Sequence, residues 1–177
     1  MNVFAFRVEV PFSPQWKHVD LLRTSLLNCL ATVFESYDFC DKLGMVAAEL
    51  VENAISYGDW RQSAAHKFHL SVSGDERTIQ IEVANPVVTG SSTVDALFKV
   101  TDRIARAESP RQAYLDRLRE IADRPKDKAS QLGLLRIAYE TECQLDVLVE
   151  NDVVRVRATI ASTAPWPPTS RDGIEVA

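Results

Sequence analysis

Glycine is scarce in this chain. Only Gly44, Gly58, Gly74, Gly90, Gly133 and Gly173 occur, and none falls in the G-x-x-x-x-G-K spacing with which a P-loop cradles phosphates. G-x-S-x-G is missing as well, so no nucleophile elbow marks a Ser-His-Asp hydrolase. Cysteine is limited to Cys29, Cys40 and Cys143, too few and too scattered for a disulfide framework, and the three read as reduced thiols. No stretch approaches the roughly 18 apolar residues of a membrane helix. The opening MNVFAFRVEV has no basic region ahead of an apolar run, so it does not read as a signal peptide. The expectation is a cytoplasmic protein with no membrane partner. Excess charge is small too: a net charge of -5 with both signs intermixed offers no counterion release on a phosphate backbone, and nucleic acid is not expected as a partner. His66 and His69 lie three apart in a strand pattern, which puts them on opposite faces, and no Cys or acidic ligand is paired with them, so they do not make a metal site.

What the chain does have is patterned apolar sequence. At 177 residues and 46% hydrophobic it is sized for one domain with one core. That domain is expected over 1–163, and a Pro-rich tail over 164–177 reads as flexible. Residues 2–10 alternate as a strand with one buried face. Over 16–37 the residues Trp16, Val19, Leu22, Leu26, Cys29, Leu30, Val33 and Tyr37 fall at helical spacing, which predicts one long helix. A second helix is predicted over 41–57, with Leu43, Val46, Ala47, Leu50, Val51 and Ala54 inward and Gly58 at its end. Two alternating runs, 67–73 and 78–84, flank Gly74-Asp75-Glu76 as a hairpin.

Residues 87–130 carry many charges around two short helical patterns. One starts near Ser92; the other has Ser109 as cap, Pro110 at its first position and Gln112 three residues after the cap. A short helix over 132–140 follows, then strands over 144–149 and 153–160 with a turn at Glu150-Asn151-Asp152. This order predicts an α+β fold: a two-layer α/β sandwich whose mixed, mostly antiparallel sheet carries helices on one face.

The stretch AELVENAISYG, residues 48–58, holds the candidate chemistry. Glu49 and Asn53 are one helical turn apart and project from the same face. A carboxylate and an amide oxygen on a rigid element suit Mg²⁺, which takes the rest of its shell from water and a nucleotide's phosphates. The carboxylate can also accept a proton from an attacking hydroxyl. A solvated face of an amphipathic helix would use the same residue types.

This stretch resembles the N-box of the GHKL superfamily, the histidine-kinase-like ATPases, and in particular bacterial anti-sigma-factor Ser/Thr kinases. IQIEVANPV stands where the family has its first glycine box, and Ser130-Gln-Leu-Gly-Leu-Leu-Arg-Ile137 is similar to the second. The likeness spans about residues 17–162. It implies that Glu49 is the base and Asn53 the Mg²⁺ ligand, that Asn85 contacts adenine, and that Gly133 and Leu134 admit the nucleotide. Residues 87–130 would be a long helical ATP lid. The cofactors implied are ATP and Mg²⁺. The implied activity is phosphorylation of a Ser or Thr on a small partner, a sigma factor or an anti-sigma antagonist, by a protein that can form a homodimer.

Two departures stand out. Asn85 replaces the family's adenine-reading Asp, though an amide oxygen still accepts from an amino group. Gln131 replaces the first glycine of the second box, so only Gly133 remains there. These departures motivate the alternative, a degenerate non-catalytic module that regulates a partner by docking. A histidine kinase proper is disfavoured, because His18 is the only histidine before the N-box.

Overall fold

A computed structural model describes residues 4–11, 19–60, 67–123 and 132–162. Trp16, His18, His66, Lys126, Lys128, Ser130, Gln131 and the 164–177 tail lie outside these residues. The elements in chain order are β1 (Phe4–Pro11), α1 (Val19–Ala31), α2 (Tyr37–Tyr57), β2 (Lys67–Gly74), β3 (Thr78–Pro86), α3 (Ser92–Arg106), α4 (Pro110–Asp123), α5 (Leu132–Thr141), β4 (Gln144–Glu150) and β5 (Val153–Ala161). The fold is α+β.

The five strands form one sheet in the order β1-β2-β3-β5-β4, and each neighbouring pair is antiparallel. The expected mixed sheet is therefore corrected to an antiparallel one. β3 and β4 run the same way, as strands joined through helices can, but β5 lies between them and keeps any parallel pair from forming. The β4–β5 turn makes this insertion sharp. Glu150 faces Val153, and both residues between, Asn151 (φ 50) and Asp152 (φ 57), take the left-handed conformation of a two-residue hairpin turn.

Alternation along the strands sorts the two faces. Phe68, Leu70 and Val72 of β2, Ile79, Ile81 and Val83 of β3, and Val154, Val156, Ala158 and Ile160 of β5 are all buried beneath the helices. The opposite face is polar, with Arg157 donating to Glu82 at 2.6 Å and Lys67 to Glu9 at 2.6 Å.

The single helix expected over 16–37 is in fact a helix that stops at Ala31 and a second that starts at Tyr37. The local chemistry accounts for the break. The Thr32 hydroxyl donates to the Cys29 carbonyl at 2.7 Å, and Ser36 caps the next helix by accepting from the Phe39 amide at 3.3 Å. Phe34 in the corner is buried and meets Phe39 edge-on, ring centroids 5.1 Å apart. The apolar repeat thus runs through a bend, and Tyr37, expected inward, is 80% exposed.

The inward stripe of α2 is as expected, with Leu43, Val46, Ala47, Leu50, Val51 and Ala54 all buried. This helix is the centre of the core and carries Glu49 and Asn53. Its end is fixed by Trp60, whose indole donates to the Ala54 and Ile55 carbonyls at 3.2 and 3.3 Å. A side chain at Gly58 would collide with that ring. The Asp59 amide donates to the Pro86 carbonyl at 2.7 Å, tying the end of α2 to the end of β3. Both helical patterns within 87–130 are present as α3 and α4. Ser91 caps α3 by accepting from Val94, and Ser109 caps α4 by accepting from Gln112 at 3.1 Å. None of the helices among the described residues is long and apolar enough to cross a membrane.

Candidate functional site

Between α2, α3 and the ends of β3 and β5 lies a cavity of about 220 Å³. Its floor is Val83 and Asn85 of β3 with Val154 and Val156 of β5. Leu50, Asn53, Ala54 and Tyr57 of α2 form one wall, and Thr93, Val94, Leu97 and Val100 of α3 close the top. Leu134 of α5 completes it. Three of the five sequence-predicted residues, Asn53, Asn85 and Leu134, thus meet around one space. Pockets for whole small-molecule ligands run to roughly 300–1,000 Å³. At about 220 Å³ this cavity lies below that range.

Asn85 is the one polar or charged residue among those buried in the described parts of the chain, at 4% exposure. Its Nδ2 donates to the Pro86 carbonyl at 3.1 Å. That bond orients the amide and leaves Oδ1 as the group to accept from a ligand N–H. Asn53 carries the complementary signal, because its Nδ2 is buried with no hydrogen-bond partner. A buried orphan on a cavity wall is a group that a ligand can satisfy.

Glu49 and Gly133 stand together, but on the far side of this wall. Glu49 lines an open, charged groove between α1, α2 and α5 that also holds Asp20, Arg23, Glu52 and Glu140. Gly133 packs directly on Glu49: a Cβ there would collide with Oε2, and would lie 3.8 Å from Asn53 Nδ2. The missing side chain of Gly133 makes room for the Glu49 carboxylate.

The other oxygen of Glu49, Oε1, accepts a hydrogen bond from Nη2 of Arg136 in a close ion pair. Arg136 reaches Glu140 as well, at 3.9 Å. Burial pushes the Glu49 carboxyl above its usual range, helped by Glu52 and Glu140 nearby, and the Arg136 charge offsets only part of this. A raised pKa suits a proton acceptor, yet Oε1 is held by Arg136 and Oε2 is packed against Gly133. Arg136 is the site residue that motif reading passed over. The available signal was its place three residues after Gly133, which puts both on the face of α5 that meets α2.

Several charged residues of the insert pair with one another. Arg103 forks onto Glu120 at 2.9 and 3.0 Å, Arg117 joins the same carboxylate at 3.1 Å, and Arg106 pairs with Asp102 at 2.7 Å. His69 sits on the open sheet face beside Glu9, 3.7 Å away. No group of three or more His, Cys, Asp or Glu positioned to hold a metal ion occurs among the described residues. Comparison of the chain with models of protein families and with curated proteins finds no match to either.

Proposed function

We propose that the chain is an ATP-binding regulatory protein, an anti-sigma-factor-type Ser/Thr protein kinase of GHKL kind that acts on a small partner protein. The observation that carries this reading is the convergence of Asn53 from α2 and Asn85 from β3 on one cavity closed by Leu134. Adenine would fill the cavity and donate its amino group to Asn85 Oδ1, while the ribose and phosphates pass out beside Asn53. The unpartnered Nδ2 of Asn53 is a donor that a phosphate or ribose oxygen would satisfy, and the Oδ1 of the same amide would serve as the protein ligand of Mg²⁺, which needs few protein oxygens when phosphates and water supply the others. Bound there, Mg²⁺ would supply neutralising charge to the phosphates. Glu49, once released from Arg136, would accept the proton of the partner's Ser or Thr hydroxyl as its oxygen attacks the γ-phosphorus and ADP leaves.

The helices α3 and α4 are the lid in this reading. α3 forms the roof of the cavity, and its movement would widen the way in for a nucleotide. The test is calorimetric titration with ATP, with and without Mg²⁺. Micromolar binding, about 8 kcal/mol, is expected for the native chain, with the Mg²⁺-dependent part lost in Asn53→Ala. An affinity that the substitution leaves unchanged would refute the assignment.

One observation favours the second reading, a non-catalytic module that works by docking. Glu49 is paired through Oε1 with Arg136 and packed against Gly133, which hinders it as a base. This reading expects no phosphate release from ATP, and a complex with the protein partner that survives removal of nucleotide. Dissociation on removal of ATP would count against it.

A further inference from the structure

Asn53, Glu49 and Arg136 form a continuous path from the cavity wall to the charged groove. Glu49 lies one helical turn from Asn53, on the order of 6 Å along α2. Gly133 touches Glu49 and approaches Asn53, and Arg136 lies one turn further along α5 with its guanidinium on Glu49. A chain of phosphates leaving the cavity past Asn53 reaches this carboxylate first, and like charges repel there. The cation that could reverse that repulsion is Arg136. Its side chain is long and 41% exposed, so the guanidinium is within reach of solvent and of a ligand. A guanidinium binds a phosphate with the same forked geometry that it offers a carboxylate.

We infer that Arg136 is the polyphosphate-binding residue of this site, held on Glu49 in the empty protein and drawn off by the nucleotide. The inference rests on the adenine-nucleotide reading and adds to it a competition: Glu49 and the phosphates share one guanidinium. Binding of the phosphates would unlock Glu49 in the same event. Glu140, 3.9 Å from the Arg136 Nε, adds a second negative charge that favours the guanidinium's staying in the groove.

The test compares adenosine with ATP in the presence of EDTA, so that no divalent metal contributes, using the full chain and the variants Glu49→Gln, Arg136→Met and Glu49→Gln/Arg136→Met. Adenosine reports on the cavity alone; the ratio of ATP to adenosine affinity reports on the phosphates. Glu49→Gln frees the guanidinium and is expected to tighten ATP roughly tenfold or more, the scale of a charge-assisted pair, with adenosine unchanged. In the double variant this gain must vanish. The double variant also guards against misfolding, because it leaves no charge unpaired where Arg136→Met alone strands Glu49. If Glu49→Gln tightens ATP and the double variant does so equally, the gain is only relief of repulsion and the inference falls. If the ATP-to-adenosine ratio is the same in all four proteins, the inference falls while the cavity assignment stands. If adenosine binds none of them, the nucleotide reading fails and this inference fails with it.

Discussion

Gly133→Ala isolates the contact on which the site turns. Alanine is intrinsically the better helix residue, by up to about 1 kcal/mol in a helix interior and less in the first turn, where Gly133 sits. Against that gain, the new methyl would occupy the position of Glu49 Oε2. A carboxylate at the end of a flexible side chain can rotate away, so the collision itself is cheap. The cost arises because rotation breaks the ion pair with Arg136 and leaves a carboxylate that burial already disfavours in its charged form. Breaking a fully buried pair costs about 3–5 kcal/mol. With Arg136 41% exposed, about 1.5–2.5 kcal/mol is the appropriate scale. The net expectation is destabilisation by about 1–2 kcal/mol, seen as a lower urea midpoint at unchanged slope. Glu49→Ala removes the colliding group, so adding Gly133→Ala to that background should be neutral or mildly stabilising. A single Gly133→Ala protein as stable as the native chain, or the same loss in both backgrounds, would refute the argument.

Further outcomes follow from the same geometry. Ser36→Ala removes the cap of α2 and should cost about 1 kcal/mol in chemical unfolding, an effect that Ser36→Asp should spare. Val156→Phe projects a ring into the cavity floor; the empty volume absorbs it, so the melting temperature should stay within a few degrees while ATP affinity falls at least tenfold. A collapsed fold would show that the cavity is not free space. Because the Glu49 pKa is raised on folding, the folded state holds its proton at pH values where the unfolded chain has lost it. Its penalty is absent below the unfolded value near 4.5, grows as pH rises towards the folded value, and then stays constant. Urea midpoints of the native chain should therefore fall over that window relative to Glu49→Gln, and parallel profiles would contradict the burial argument.

Most of the elements were legible in the sequence because one-sided burial imposes a period. Every inward position expected for α2 is buried, and so are the inner faces of β2 and β3. The α1–α2 corner was not, because Phe34 and Phe39 keep apolar residues near helical spacing while the chain turns between Thr32 and Ser36. Strand pairing was also hidden: periodicity assigns faces to a strand, whereas its neighbours depend on how three intervening helices return the chain. At the site, Asn53, Asn85 and Leu134, singled out through the family resemblance, line one cavity. The pairing of Glu49 with Arg136 joins residues 87 apart in sequence; the spacing of Arg136 from Gly133 gives it a helix face but does not name the partner across from it.

The position of β5 between β3 and β4 also governs the order in which the site is assembled. Until Val153–Ala161 is in place, β3 and β4 are separated by the width of a missing strand, about 10 Å between their axes, and the cavity has no Val154 or Val156 beneath it. As the ribosome delivers the chain, Asn53 and Asn85 are both made long before that strand. The two residues that would read the nucleotide therefore have no pocket to share until the last strand closes the sheet, and a nascent chain stopped short of Val153 would present exposed strand edges in its place.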